Sequence, residues 1–454
     1  MRAALAFLLL ILSALPLAAQ ETMIVAEGDL APAFACAGEG CERLAWLPDG
    51  AGVTVTGEAE GRELEGSTLW YEVQLDCPCF DFERNSLRDM PDTKDPERAI
   101  LYDFHLYWAP DSQRIATVAR DGLHVWDADS GERLLHETLD LFHPSSMAWS
   151  PDGSRIAAGG GFHFAHEGDE HVTQVEPERS LLLIDVDGRS PQPIGGQAGG
   201  VWGLAWSHDG TRIATVGETL RILDAHQGDT LLDLEARGMH LAWSPDDRHI
   251  ALIEYSVDPE ISMLRLRDAA DGAVIASIEG DSGTHFSDVA WAPDGGRLAY
   301  TSYTVVEREG DHGLVTGSEL HVRDAFGENP PQTLLTTSDW ILNFDWSPDG
   351  RFIVLPLQGG IHMLDARDGR RIASLAPESI LNNRLRQENK LILDSADWSP
   401  DGRRVAATGY DSTGLRANRS QGPMVERAAW VWDLTLIPKG PTRAFIHSGQ
   451  LRND

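Results

Sequence analysis

Three histidines within one short stretch are the first candidates for metal chemistry. The segment reads His-x-x-His-x-x-x-x-His at His163, His166 and His171, with three carboxylates between the second and third histidine. Imidazole and carboxylate groups are common ligands of zinc and other divalent ions. The spacing matches no ligand motif that we can defend, and a solvated polar loop accounts for the same residues. We therefore expect no resident metal and no cofactor.

The four cysteines of the chain are Cys36, Cys41, Cys77 and Cys79, all near the start of the sequence. In an exported protein an even, clustered set of cysteines indicates disulfides. A bridge between Cys77 and Cys79 would be strained because one residue separates them. We expect the Cys36/Cys41 pair to be linked to the Cys77/Cys79 pair, in either order. Zinc bound by the four thiolates is the alternative.

Other catalytic signatures are weak. The sequence holds neither a Gly-x-Ser-x-Gly elbow nor a Gly-rich phosphate loop. The turn Asp127-Ala128-Asp129-Ser130-Gly131 has calcium-like spacing, but the distal bidentate glutamate of such loops does not follow. Asp and Gly also suit a tight turn for backbone reasons alone. The sequence thus assigns no catalytic residue.

The charge balance narrows the choice of partners. The chain has 454 residues, with 37 Lys and Arg against 71 Asp and Glu, for a formal net charge of −34. A surface of this sign repels phosphate backbones and anionic lipid heads, so we expect no nucleic-acid partner. Solubility or a salty medium explains the acidity as simply as an acidic binding surface does.

Residues 1–19 have the pattern of an export signal. Arg2 gives a positive start, residues 3–12 are apolar, and small residues precede Gln20. The apolar stretch is too short for a membrane span. We expect a mature protein that is periplasmic or secreted and has no membrane span after cleavage.

One sequence motif recurs seven times, and the structure it forms must position any functional site. Each copy has an aromatic residue closing strand a, a tight Asp/Gly turn, a short apolar strand b and a strand c that ends in Asp. The aromatic residues are Trp108, Trp149, Trp206, Trp243, Trp291, Trp346 and Trp398. An outer strand d completes a four-stranded antiparallel blade, and seven blades in a ring hide nearly all strand edges.

Three turns depart from the repeated Pro-Asp-Gly pattern. Ser112 and Asp247 stand where Gly takes the left-handed position, and His208 stands where the other copies carry Pro. We expect local strain at these turns, with Asp the least penalised.

The repeats resemble WD-repeat β-propellers. The dipeptide that gives the family its name occurs as Trp126-Asp127 and Trp432-Asp433, and the phrase Trp-Ser-Pro-Asp-Gly is shared with TolB-like propellers. The Gly-His pair of the WD-repeat family is absent. The resemblance implies an all-β, seven-bladed β-propeller over residues 99–449.

Residues 20–83 resemble a bacterial Src-homology-3-like barrel. The residues that match are Leu44-Ala45-Trp46-Leu47, the Pro48-Asp49-Gly50 turn and Trp70-Tyr71-Glu72-Val73. Cys77-Pro78-Cys79-Phe80 replaces the usual closing segment. We expect a small disulfide-linked β-barrel-like domain, followed by a linker at residues 84–98. Members of this family bind cell-wall peptides or proteins, so a cell-wall component is a possible partner of this domain.

The longest connections cluster at one end of the predicted ring. They are residues 159–180, 303–318 and 410–427 between strands b and c, and residues 376–392 between strands d and a. These two kinds of connection emerge on the same face of a meander, where long loops on a rigid scaffold form binding sites. In WD-repeat propellers partner contacts often come from positions six and four before the strand-a aromatic. From these positions the resemblance implies a partner-binding set of Tyr102, Phe104, Trp202, Arg237, Met239, His285 and Trp340.

The sequence therefore predicts an exported, non-catalytic binding or scaffold protein that captures a protein or peptide on the loop-rich face. The alternative is a propeller enzyme, a lyase or a metal-assisted hydrolase, acting at the central channel mouth. An enzyme would need convergent His, Asp or Arg groups at the channel. A binding protein would need exposed aromatic side chains rimmed by polar loops.

Overall fold

The computed structural model of the protein describes residues 22–25, 31–34, 43–47, 52–64, 67–75, 80–87, 106–119, 122–139, 141, 146–160, 179–188, 190–257, 260–280, 283–308, 311–327, 329–357, 360–375, 391–411, 427–436, 442–447 and 451–453. Within these ranges the chain forms strands β1 to β35, numbered in chain order. Two compact units result, one drawn from residues 1–82, 371–374 and 435–454, the other from residues 83–370 and 375–434. Among the described residues, no helix is long and apolar enough to cross a membrane.

The first unit contains one seven-stranded sheet in the order β3-β2-β34-β5-β4-β1-β35. The strands are β1 (Thr22–Val25), β2 (Ala31–Phe34), β3 (Arg43–Leu47), β4 (Gly52–Leu64), β5 (Ser67–Leu75), β34 (Thr442–His447) and β35 (Leu451–Asn453). Residues 442–447 were expected within the repeats, but they form β34, which pairs antiparallel with β5 from Thr442 opposite Leu75 to His447 opposite Trp70. This sheet therefore takes strands from both ends of the chain.

Seven further sheets are four-stranded blades. They belong to the other unit except for residues 80–82, 371–374 and 435–436. Blades one to three comprise β7 (Leu106–Trp108), β8 (Arg114–Ala119), β9 (Gly122–Asp127), β10 (Arg133–Glu137); β11 (Ser146–Trp149), β12 (Arg155–Gly159), β13 (Leu181–Asp185), β14 (Gln192–Gly195); and β15 (Gly203–Trp206), β16 (Arg212–Val216), β17 (Leu220–Asp224), β18 (Thr230–Leu234).

Blades four to six comprise β19 (Gly238–Trp243), β20 (His249–Val257), β21 (Glu260–Asp268), β22 (Val274–Glu279); β23 (Thr284–Trp291), β24 (Arg297–Arg308), β25 (Asp311–Asp324), β26 (Gln332–Thr337); and β27 (Asp345–Trp346), β28 (Phe352–Leu357), β29 (Gly360–Asp365), β30 (Arg371–Leu375). Blade seven comprises β31 (Leu391–Trp398), β32 (Arg404–Asp411), β33 (Arg427–Leu436) and β6 (Phe80–Leu87). These sheets confirm the expected all-β, seven-bladed propeller.

The outer strand of blade seven differs from the expected one. It is β6, which precedes blade one in the chain, and not a segment that follows Asp433. Residues 84–87, expected in a linker, thus belong to a strand. Blade seven is thus completed by a strand that precedes blade one, which links the two ends of the array of blades.

The repeated turn explains how each blade folds from its sequence. In blade two, Ser150 Oγ accepts the backbone N–H of Arg155 at 2.9 Å and donates to Asp152 at 2.6 Å. Gly153 has φ +68. The expected strain is also present, because Ser112 and Asp247 adopt φ +59 and +58, a region that L-residues rarely occupy.

Successive blades are joined by the strand-a tryptophans. Trp149 Nε1 donates to the backbone oxygen of Tyr107 in the preceding blade at 3.1 Å. Arg114, at the start of that blade's strand b, places its Cζ 5.1 Å from the Trp149 ring centroid, within cation–π range. The same pairing recurs at Arg155–Trp206, Arg212–Trp243, Arg297–Trp346 and Arg404–Trp108. These tryptophans are therefore core residues between blades.

Candidate functional site: the central cleft and its rim

The blade geometry defines two faces. The turn face carries the a–b turns, such as residues 150–154, and the c–d turns. The insertion face carries the b–c and d–a connections, such as residues 196–202 between β14 and β15. In blade five the insertion is a long hairpin and not an irregular loop, since β24 and β25 pair from Arg297 opposite Asp324 out to Arg308 opposite Asp311. Its Thr-Ser-Tyr-Thr-Val-Val segment is rich in residues that favour strands, which explains the difference.

A cleft of about 180 Å³ opens among the innermost strands of six blades and is continuous with solvent. Each blade contributes from strand a or from the residues just before it. One lining residue from each of blades one to six is Tyr107, Ser146, Trp202, His240, Asp288 and Asn343. The cleft is thus formed by six blades together and not by any single repeat.

Asp288 is the carboxylate in the cleft lining. Its Oδ1 accepts the backbone N–H of Val289 at 2.8 Å, and its Oδ2 accepts that of Phe344, in the next blade, at 3.4 Å. His240 Nδ1 lies 3.8 Å from Asp288 Oδ1, and the Asp288 side chain keeps 17% of its exposure. Burial raises the pKa of Asp288 to about 7, the charge of Asp345 adds to the rise, and the two backbone hydrogen bonds oppose it.

Two further carboxylates follow in blades six and seven. Asp345 Oδ2 accepts the backbone N–H of Trp398 at 2.8 Å and so joins these blades. Burial raises the pKa of Asp345 to about 7. Burial, followed by the negative charges of Asp345 and Asp288, raises the pKa of Asp397 well above its ordinary value. Three interacting carboxyl groups therefore occupy strand a of blades five to seven.

Sequence reasoning missed these carboxylates, although the repeats contain a signal for them. Side chains one and three residues before the strand-a Trp share a face of the strand, because strands alternate with period two. The position one before Trp holds Ala in four copies but Asp345 and Asp397 in the last two. A charged residue in a slot where the other copies are small and apolar indicates a special environment.

Trp202 and Arg237 form one cluster at the rim of the cleft. Arg237 Cζ lies 5.2 Å from the Trp202 ring centroid, and Trp202 Nε1 donates to the backbone oxygen of Gly199 at 2.9 Å. Arg237 Nη2 is also 3.4 Å from Glu218 Oε1, which offsets the cationic charge. Met239 lines the cleft beside Trp202. Three residues of the predicted set thus meet at one place.

A second aromatic cluster lies on blade five and the connection that follows it. The rings of His285 and Tyr303 stack with centroids 5.3 Å apart, and Trp340 lies 5.6 Å from Tyr303. Trp340 is 51% exposed, which is unusual for so large an apolar side chain. His285 and Trp340 of the predicted set therefore share an exposed aromatic surface on the insertion face.

The remaining predicted residues lie outside the described part of the chain. They are the site candidates Tyr102 and Phe104, the histidines His163, His166 and His171, and the cysteines Cys36, Cys41, Cys77 and Cys79. Within the described ranges, no group of three or more His, Cys, Asp or Glu side chains has the arrangement of a metal site.

These features define a seven-bladed β-propeller with a cleft and aromatic clusters on its insertion face. No protein-family model matches the chain. The chain is 23% identical to protein transport protein sec13 of Aspergillus fumigatus over 269 residues, which is 52% of this chain and 83% of that protein. It is 24% identical to protein HIR1 of Chaetomium globosum over 254 residues, 47% of this chain but only 22% of HIR1. WD-repeat-type proteins are therefore weak homologues of this chain.

A solved structure shows the same fold at greater distance. The hydrazine synthase of Kuenenia stuttgartiensis superimposes with a TM-score of 0.50 at 17% identity, over 70% of this chain and 94% of that one. At this identity the likeness concerns the fold alone.

Proposed function

We propose that this protein is a non-catalytic scaffold that captures a protein or peptide partner on the insertion face of the propeller. The observation that carries the proposal is the pair of aromatic clusters on the insertion face, Trp202 with Arg237 and Met239 at the cleft rim, and Trp340 with Tyr303 and His285 on blade five and the connection after it. Tryptophan, tyrosine and arginine supply most binding energy at protein interfaces. Weak homology to a protein transport protein also supports this role.

The three carboxyl groups of strand a support an enzyme less strongly than the aromatic clusters support a scaffold. Perturbed acids in a cleft are a common mark of catalytic sites. Here, however, Asp288 binds the backbone of Val289 and Phe344, and Asp345 binds that of Trp398. Holding adjacent blades in register accounts for these two side chains without a reaction.

Export and the role of the first unit are parts of the same proposal. The pattern of residues 1–19 supports a periplasmic or secreted location. The likeness of residues 20–83 to a cell-wall-binding barrel supports a wall component as a second contact, or an accessory role for that unit. Purification from the native compartment, followed by determination of the mature N-terminus, tests the location.

Partner capture after crosslinking in the native compartment tests the scaffold role. Trp202→Ala and Trp340→Ala should each lower capture by about tenfold or more, while unfolding free energy changes by about 1 kcal/mol or less. Phe326→Ala is the matched control, because Phe326 is an aromatic residue 55% exposed on a c–d turn of the opposite face. Equal capture by all three variants would contradict the proposal, and so would a large loss of stability in both tryptophan variants.

A further inference from the structure

We propose that the central cleft receives a basic side chain of the partner, a lysine or arginine whose cationic head reaches Asp288 and whose hydrocarbon stem packs on Trp202 and Met239. This inference rests on the proposed scaffold function and specifies the chemistry of the partner at one position. The partner segment is then a peptide that projects a basic residue into the ring from the insertion face.

The carboxylate of Asp288 has acceptor capacity to spare. A carboxylate has about four lone-pair sites, and Asp288 accepts one backbone hydrogen bond at 2.8 Å and a long one at 3.4 Å. Its side chain still reaches the cleft, with 17% exposure. Among the described lining residues none is a lysine or arginine. The cleft therefore presents a carboxylate without a strong cation beside it.

The lining also contains a buried hydroxyl. Ser146 Oγ has no hydrogen-bond partner among the described residues, and Ser146 borders the cleft from blade two. A buried polar atom without a partner is costly. Guanidinium and ammonium groups carry only donors, so a basic head in the cleft brings N–H groups towards this side of the lining.

The size of the cleft also suits a single long side chain. Its volume of about 180 Å³ is below the roughly 300–1,000 Å³ of small-ligand sites, so it favours one side chain over a whole small ligand. The walls combine Trp202, Met239 and Phe344 with the polar residues already named. Lysine and arginine pack their methylene stems on apolar walls while the charged head finds a polar group. The ring of Trp202 also offers its face to a cation.

The charge of the whole molecule also favours a basic partner. The net charge of −34 attracts basic segments and repels acidic ones at long range. Arg237 at the rim and His240 in the lining can carry positive charge, and both already have carboxylate neighbours: Arg237 lies 3.4 Å from Glu218, and His240 lies 3.8 Å from Asp288. A basic residue in the cleft therefore meets net negative charge.

Selection from a library of random displayed heptapeptides, with the full chain as bait, tests the inference. Wild-type protein should enrich Lys and Arg over the input library, and Asp288→Asn should lower capture of the selected peptides by about tenfold or more. Asp229→Asn is the matched control. It removes the same charge from an exposed c–d turn on the opposite face, and capture should not change. Melting temperatures of both variants establish that they fold.

A competition on wild-type protein keeps the inference falsifiable if Asp288→Asn does not fold. Nα-acetyl-arginine amide should displace the selected peptides, whereas the neutral isostere Nα-acetyl-citrulline amide should not. Selected peptides with no excess of basic residues, or equal displacement by the two amides, would overturn the inference and leave the scaffold role standing. Failure to select any peptide, while native partner capture still depends on Trp202, would do the same. If no peptide were selected and native partner capture did not depend on Trp202, the scaffold role would be contradicted as well.

Discussion

Asp247 and the backbone of His208 are bonded across the boundary between blades three and four. Asp247 Oδ1 accepts the His208 N–H at 2.7 Å, and Oδ2 accepts the N–H of Asp209 at 2.8 Å. Both turns depart from the repeated pattern, with His208 in place of Pro and Asp247 in place of Gly. Proline would have no N–H to donate, and glycine would have no carboxylate. The two departures thus compensate each other and offset the strain of φ +58 at Asp247.

Two substitutions of Asp247 distinguish the cost of backbone strain from the contribution of the hydrogen bonds. Asp247→Ala keeps the unfavourable left-handed backbone and loses the cross-blade hydrogen bonds of the carboxylate to the His208 and Asp209 N–H groups and to His208 Nδ1, so we expect a loss of about 2–3 kcal/mol in unfolding free energy. Asp247→Gly loses the bonds but relieves the strain, so its loss should be about 1 kcal/mol smaller. Urea unfolding followed by tryptophan fluorescence measures both. Equal losses in the two variants would show that strain at this turn is negligible.

Arg404 performs a similar task where blade seven meets blade one. Its Nη1 is 2.6 Å from Asp129 Oδ1, its Nη2 donates to the backbone oxygen of Ser112, and its Cζ lies 5.0 Å from the Trp108 ring centroid. The side chain is only 10% exposed. Arg404→Ala should therefore cost about 2–3 kcal/mol. Arg404→Lys should cost less, because lysine keeps the positive charge and one of the two contacts, although it cannot make both as the planar guanidinium does.

Arg351→Ala is the control for this seam. Arg351 is an exposed arginine on an a–b turn, so its removal should change unfolding free energy by about 0.5 kcal/mol or less. If Arg404→Ala is equally mild, the contacts at the closing boundary contribute little to the ring.

Most of the propeller could be predicted from the repeats in the sequence. Seven aromatic-turn-strand copies predicted seven sheets, and the strain expected at Ser112 and Asp247 appears as positive φ. The outer strand of blade seven could not be predicted in the same way. Strand d has no fixed signature beyond short apolar alternation, so nothing in the sequence distinguishes β6 from β34 as the strand that completes the blade.

The site was less predictable than the fold. Trp202, Arg237 and Met239 were reached through the resemblance, and the structure brings them together. Asp288 was hidden, because it is one of 71 acidic residues and its role depends on contacts with blade six. The hydrogen bond from Phe344 and the approach of His240 come from neighbouring repeats. Such contacts depend on how the ring closes, which local patterns do not specify.

The carboxyls of strand a should make stability fall as pH rises. The folded pKa of Asp345 is raised to about 7, above the value of about 3.9 for an unfolded aspartate. Between these values the folded state binds more protons than the unfolded state, so its relative stability decreases with pH across this window. Wild-type protein should unfold at lower urea concentration at pH 8 than at pH 5, and Asp345→Asn should reduce this difference.

Asp152 gives the control of opposite sign. Hydrogen bonds from Ser150 and Ser154 lower the pKa of Asp152 to about 2, so its contribution is present above about pH 4 and is lost as pH falls towards 2. Asp152→Asn should alter the stability profile below pH 4 and leave the difference between pH 5 and pH 8 unchanged. A wild-type protein equally stable at pH 5 and pH 8 would contradict raised pKa values in strand a.

Gly203 sets the spacing of two cleft-lining strands. A Cβ at this position would lie 2.2 Å from the backbone oxygen of Met239 in the next blade and 3.2 Å from Val216 Cγ1. Gly203→Ala must therefore push β15 away from β19, at a cost of about 1–3 kcal/mol. Because the Met239 backbone has to move, partner capture at the cleft should weaken as well. Gly296→Ala is the control, since its nearest contact would be an ordinary 3.4 Å to Asp294 Oδ1. If urea midpoints and capture were the same for both alanine variants, the close approach of blades three and four would not shape the cleft.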